Sequence, residues 1–143
     1  MAANIRLEVV TPEKYVVSED AQIVVAPGTL GEFGVLSGHT PFLSTLKTGT
    51  IRYTDVNNVE RCVFIGGGFA EALPDKVTVL AESAERRCDI DIERAKSALK
   101  RAQKRLEEAR AKEDIEFTRA RAALERALER VKLAGSRGTR GGG

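Results

Sequence analysis

The chain has 143 residues, 42% of them hydrophobic and 31% charged, and a formal net charge of +2. This is the profile of a soluble globular protein with room for one domain or two small ones, and so small a net charge argues against a nucleic-acid binder. A single histidine and two isolated cysteines leave no His-based metal cluster and no Ser-His or Cys-His catalytic pair to assemble elsewhere in the chain.

In chain order, MAANIRLEVV lacks the basic start and apolar run of a secretory signal. Within it Ile5, Leu7 and Val9 alternate with Arg6 and Glu8, the period of a half-buried strand. Gln22–Ala26 is a second β-rich run, ended by the turn signal Pro27-Gly28. Gly28, Gly31 and Gly34 are spaced by three and match neither a dinucleotide fingerprint nor a Walker loop, so they read as turns or close approaches. Ser37 sits one residue off the G-x-S-x-G elbow. Ile51–Thr54, Asn57-Asn58 and Val59–Ile65 predict a hairpin, and Gly66-Gly67-Gly68 is expected to end that run. Phe69–Leu73, Pro74-Asp75 and Lys76–Leu80 predict a last hairpin. Roughly eight to ten strands at even spacing point to a flattened barrel or sandwich.

Near residue 88 the period changes. Ile92, Ala95, Leu99, Ala102, Leu106 and Ala109 recur at steps of three and four, and Phe117, Ala120, Leu124, Ala127 and Val131 repeat the scheme. Each set lines one face of a helix. Asp114 is the expected N-cap of the second helix, and the short break at Ala111–Asp114 forces an antiparallel pair. The division predicted is a β-domain over 1–86, a helical hairpin over 87–134 and a disordered Gly-Arg tail over 135–143. Residues 1–88 carry 8 basic and 11 acidic side chains and residues 89–133 carry 13 and 10, so the two parts are suited to different partners. The alanine-rich seam predicts a thinly packed hairpin able to exchange one packing partner for another; the alternative is that alanine serves helix propensity only. Cys62 and Cys88 read as small apolar fillers of a chain kept reduced. No run approaches the roughly 18 apolar residues of a membrane span, so membrane association would come through a partner.

Four segments in order, GEFGVLSGHTPFL at 31–43, GGGFAE at 66–71, KVTVLAESAE at 76–85 and DIDIERA at 89–95, resemble the epsilon subunits of bacterial and chloroplast F-type ATP synthases. The likeness runs from about residue 4 to 133. It implies a flattened ten-stranded β-sandwich followed by an antiparallel two-helix hairpin, with neither catalytic residues, metal nor required cofactor. It also implies partners: the gamma subunit, the c-ring and the alpha and beta catalytic subunits, with no nucleic acid. The implied location is peripheral, on the cytoplasmic face of a bacterial plasma membrane, ahead of the chloroplast stromal side. By the same resemblance Glu32 and His39 face the c-ring, where the residues alone would read as turn and hydrogen-bonding positions. The hairpin of similar proteins inhibits ATP hydrolysis when extended, and in some it binds ATP as a regulatory ligand when folded. Residues matching that site are Ile90, Asp91, Arg94 and Ala95, with Glu85, Arg101, Arg126 and Arg130. Read alone, Asp91 is an N-cap, and the basic face of Arg119, Arg121, Arg126 and Arg130 is either a docking face for acidic partner segments or a solvated one with pairs such as Arg121–Glu125. A purely structural coupling subunit is the alternative function.

Overall fold

A computed structural model describes residues 3–109 and 114–135. The chain divides into two compact units between Asp89 and Ile90. Among the described residues the first contains seven strands: β1 (Ile5–Val10), β2 (Tyr15–Gly28), β3 (Gly31–Leu36), β4 (Phe42–Asp55), β5 (Glu60–Ala72), β6 (Lys76–Ala81) and β7 (Ala84–Arg86), then a 3-10 turn at Arg87–Asp89. Their order is β1-β6-β5-β4-β2-β3, with β7 on β5, and an added β1–β2 pairing closes the first five into a ring. Only the β1–β6 pairing is parallel. This is the barrel or sandwich class expected, with seven strands in place of ten. The count falls because β2, β4 and β5 run 14, 14 and 13 residues, and β2 bends through register shifts at Ala21/Ile23 and Val25/Gly28 rather than ending.

The glycine triplet corrects a second expectation. Gly66–Gly68 lie inside β5, with Thr48 opposite Gly66 and Leu46 opposite Gly68, and do not end it. Gly68 has φ +145°, and a Cβ there would sit 2.0 Å from the Leu80 carbonyl oxygen of β6. Gly68 lets two backbones approach where any side chain would collide.

Inside the ring the period of two is plain: Ile5, Leu7 and Val9 of β1, Val77 and Val79 of β6, and Val63 and Ile65 of β5 are all fully buried. The β4–β5 hairpin is pinned by Asp55, which is 3% exposed. Its Oδ1 accepts from the Asn57 and Val59 amides at 2.9 and 3.0 Å, and its Oδ2 from Arg61 Nε at 2.8 Å. The Arg61 hydrogen bond, then the Val59 amide, hold this carboxyl below its ordinary range.

The second unit is α1 (Ile92–Ala109) and α2 (Asp114–Gly135). Asp91 caps α1: its carbonyl accepts from the Ala95 amide at 2.9 Å, and its Oδ1 accepts from the Glu93 and Arg94 amides at 3.1 and 3.2 Å. Ala95, Ala102 and Ala109 of α1 and Ala120 and Ala127 of α2 are buried, while Leu99, Leu106, Phe117, Leu124 and Val131 are half-buried. The Asp114 side chain and the tail beyond Gly135, for which a cap and disorder are expected, lie outside the described residues.

Candidate functional site

The helical unit carries two matching rows of arginine. On α1, Arg94, Arg101 and Arg105 stand at i, i+7 and i+11; on α2, Arg119, Arg126 and Arg130 repeat the same spacing. At 100° per residue each row falls within about 40° of arc, beside the alanine stripe of its own helix. One cleft of about 260 Å³ fixes which edges face each other, because Arg105, Glu108 and Ala109 line it together with Glu116, Arg119, Ala120 and Ala123. The helices pack on each other along their buried alanines and so run back antiparallel, which with equal offsets from those alanines puts both rows on the same side of the seam. Arg105 and Arg119 meet near the connection, and Arg94 and Arg130 occupy the far end.

The residues expected at the nucleotide site fall into three groups. Arg94 and Arg101 are exposed and Arg126 and Arg130 half-buried, all on the arginine edge. Asp91 and Ile90 lie at the root of α1, where Asp91 serves as the helix cap, and Ala95 is 4% exposed in the seam. Glu85 belongs to β7 in the sheet unit, opposite Phe64. Arg105 and Arg119 are additions to the site as expected from the sequence. Their signal was the repeated arginine spacing, which puts six guanidiniums on one edge. Forked donors of this kind suit phosphate oxygens without a glycine loop, and the alanine floor leaves room for a ligand.

The second expected site lies at β3 and the turn after it. Glu32, across β2 from Pro27 in register, is exposed and ion-paired with Arg52 of β4. His39 follows Gly38, which has φ +84°, and its amide bonds the Leu36 carbonyl at 3.2 Å. His39 Nδ1 lies 2.7 Å from the Thr40 carbonyl oxygen, which can only accept, so Nδ1 carries the proton. The imidazole packs edge-on against Phe42 at 5.0 Å, and Phe42 likewise against Phe33 at 5.0 Å. Phe33 and Phe42 pack on the core, so this aromatic chain lies on the inner side of β3 and its neighbour Glu32 points to the other side. The fold does not gather Glu32 and His39 into one pocket.

Two family models match the chain in succession: the beta-sandwich domain of the ATP synthase delta/epsilon chain over residues 4–87 and the long alpha-helix domain of the same chain over residues 89–135. The chain belongs to the ATP synthase delta/epsilon chain family. Among its relatives, the ATP synthase epsilon chain of Desulfatibacillum aliphaticivorans is 70% identical over 107 residues, 75% of this chain and 76% of that one. That of Desulfosudis oleivorans is 64% identical over 107 residues, 75% and 80% of the two chains. A chain of the Euglena gracilis mitochondrial ATP synthase, solved with OSCP, F1 and c-ring, shares the fold with a TM-score of 0.76 at 22% identity, over 90% of this chain and 80% of that one. A chain from the central stalk and c-ring of the Tetrahymena thermophila mitochondrial ATP synthase matches with a TM-score of 0.61 at 12% identity, over 93% and 98%.

As an epsilon chain the protein is a non-catalytic subunit of an F-type ATP synthase. Among the described residues no helix is long and apolar enough to cross a membrane.

Proposed function

We propose that this epsilon chain couples the gamma subunit to the c-ring through its sheet unit and restrains ATP hydrolysis through its helical unit, with ATP as a regulatory ligand. The observation that carries the sensing half is the paired arginine rows over an alanine floor. A triphosphate lying along that edge would meet guanidiniums from both helices at once, and would bind the folded hairpin better than any form in which the helices part. Only such differential affinity shifts a conformational balance. The carboxylates of Asp89 and Asp91 repel phosphate at the root of α1, and those of Glu108 and Glu116 do so in the cleft near the connection. The base or ribose therefore belongs at the root, and the phosphates lie along the middle of the rows, by Arg101 and Arg126.

The thin seam supplies the mobility: little apolar area is lost when the helices exchange partners, so docked and extended states can lie close in free energy. The extended hairpin meets the alpha and beta catalytic subunits through its basic face. On the other unit, exposed Glu32 with Arg52, and the turn at His39, are the polar contacts offered to the c-ring. Ring contact places the chain against the membrane as a peripheral subunit, on the cytoplasmic face in a bacterial cell.

Calorimetric titration of the full chain with ATP tests the sensor. Saturable binding is expected, with Arg94→Ala and Arg126→Ala each weakening it about tenfold or more, the loss of one charge-assisted contact. Absence of saturation up to several millimolar ATP overturns sensing. Deleting residues after Asp89 in the assembled complex tests inhibition: hydrolysis should rise while coupling is retained. Unchanged hydrolysis would leave a purely structural connector.

A further inference from the structure

The last strand of the sheet unit is anchored in an unusual way. β7 has three residues and three register pairs with β5, Ile65 opposite Ala84, Phe64 opposite Glu85 and Val63 opposite Arg86. So short an edge strand is not held by its ladder alone. Arg86, its final residue, supplies what the ladder lacks. Arg86 Nε donates to the Val16 carbonyl of β2 at 3.0 Å, and Nη1 stands 3.9 Å from Glu19 Oε1. Glu19 Oε1 in turn accepts from the phenol of Tyr53 in β4, which is 1% exposed. One side chain thus ties β7 to β2 directly and to β4 through a shared carboxylate. Burial, then the Glu19 hydrogen bond, raises the Tyr53 phenol above its ordinary value, so it stays a donor throughout the physiological range. None of these groups belongs to the arginine edge or to the surface around Glu32 and His39.

The position of this cluster gives it its meaning. Arg86 is the last sheet residue, and the chain passes into the helical unit three residues later, after Asp89. We infer that Arg86, held by Glu19 and the Val16 carbonyl, is the positioning residue of the hairpin: it fixes the point at which the chain leaves the barrel and so sets the hairpin's reach. The latch stands on its own contacts; its regulatory consequence rests on the proposed mobile hairpin. Without the Arg86 side chain β7 is left with its three register pairs to β5 and the packing of the 3-10 turn on that strand. Where these fray, the nearest backbone bonds lie upstream, from the Gly66 amide to the Ser83 carbonyl at 2.9 Å and from the Glu82 amide to the Gly67 carbonyl at 3.1 Å. Each opening of β7 frees three residues and adds about 10 Å of reach, and the variant opens more often. A longer and looser tether lowers the effective concentration of the hairpin at its berths.

The test pairs hydrogen exchange on the full chain with hydrolysis by the assembled ATP synthase. In Arg86→Ala the amides of residues 84–88 should exchange about tenfold faster or more, while those of Val77 and Val79 keep their protection and the melting temperature moves little. Arg86→Lys, which keeps a donor and the charge, should recover part of the protection. In the complex, Arg86→Ala should raise hydrolysis about two- to fivefold, toward the level of the chain deleted after Asp89, and add nothing in the deleted background. Unaltered exchange at 84–88 in Arg86→Ala overturns the latch. A rise in hydrolysis that persists after deletion, or a loosened root with wild-type hydrolysis where deletion itself raises it, overturns the positioning role. If deletion leaves hydrolysis unchanged, the inhibitory function fails instead, and the exchange result alone decides the latch.

Discussion

The two units are held by different means. In the barrel, Ile, Leu, Val and Phe side chains are shut away completely, each worth about 1.5–3 kcal/mol of burial. In the hairpin every buried apolar side chain among the described residues except Leu133 is an alanine, and a methyl group contributes about 0.8 kcal/mol on the same scale. The longer side chains along that seam, Leu99, Leu106 and Leu124, are only half covered. One unit is a rigid mount, and the other is a weakly cemented pair of rods. The proposed coupling role calls for the first property, and the proposed change of position of the hairpin for the second.

The sharpest way to break the contrast is at Gly68. Gly68→Ala should destabilise the barrel by more than about 3 kcal/mol, because a Cβ would collide with the Leu80 carbonyl in a backbone conformation that side chains rarely adopt. Urea unfolding of the full chain measures it, and a loss below about 1 kcal/mol would mean the β5–β6 crossing gives way easily. A matched pair comes next. Ile65→Ala in the fully buried core should cost about 2–5 kcal/mol, whereas half-buried Leu99→Ala should cost about 1 kcal/mol. Equal losses would show that the hairpin is packed as firmly as the barrel, and the proposed mobility would lose its physical basis.

How much of this was legible depended on whether the signal was local. The class of fold followed from alternation in β1 and from the switch to helical spacing after residue 88. The cap at Asp91 followed from its place before the first apolar-periodic residue, Ile92. The glycine triplet misled because glycine signals a turn by composition alone, whereas the decisive fact, the Leu80 carbonyl against Gly68, belongs to another strand. The strand count was overestimated for a related reason: β2 bends at register shifts without ending, one of them at Ala21/Ile23 with no punctuation and the other, Val25/Gly28, across a Pro27-Gly28 pair that reads as a stop. At the candidate site Arg94, Arg101, Arg126 and Arg130 came from resemblance to a motif, which named some arginines and passed over Arg105 and Arg119. The equal spacing on both helices was in the sequence. That the two rows share one edge became visible only when the cleft placed Arg105 beside Arg119.

A third measurement sharpens the contrast through charge. Asp55 is buried at the β4–β5 turn with its carboxyl held below the ordinary range, chiefly by Arg61. A carboxylate whose folded pKa is depressed adds stability above its unfolded pKa of about 3.9, and that contribution is lost as pH falls through the lower folded value. Asp55→Asn should therefore be less stable than the natural chain at neutral pH, with the difference closing in acid below about pH 4. Urea midpoints at several pH values read the effect. A difference independent of pH would assign the role of Asp55 to its amide contacts rather than to its charge.

The smallest effect is expected on the helical unit, where Arg121 pairs with Glu125 at 3.5 Å while both remain more than half exposed. Solvent screens such an i, i+4 pair, so Arg121→Ala should change stability by less than about 0.5 kcal/mol. Arg121 is two residues from Arg119, hence about 200° around the helix and on the face away from the arginine rows. The same substitution should therefore leave ATP titration unchanged where Arg126→Ala weakens it, although each removes one positive charge. If both variants lost binding equally, net charge rather than the paired rows would account for any affinity. If Arg121→Ala instead cost more than about 1 kcal/mol, surface ion pairs would be holding the helices together, and the thin alanine seam would no longer measure how readily the hairpin moves.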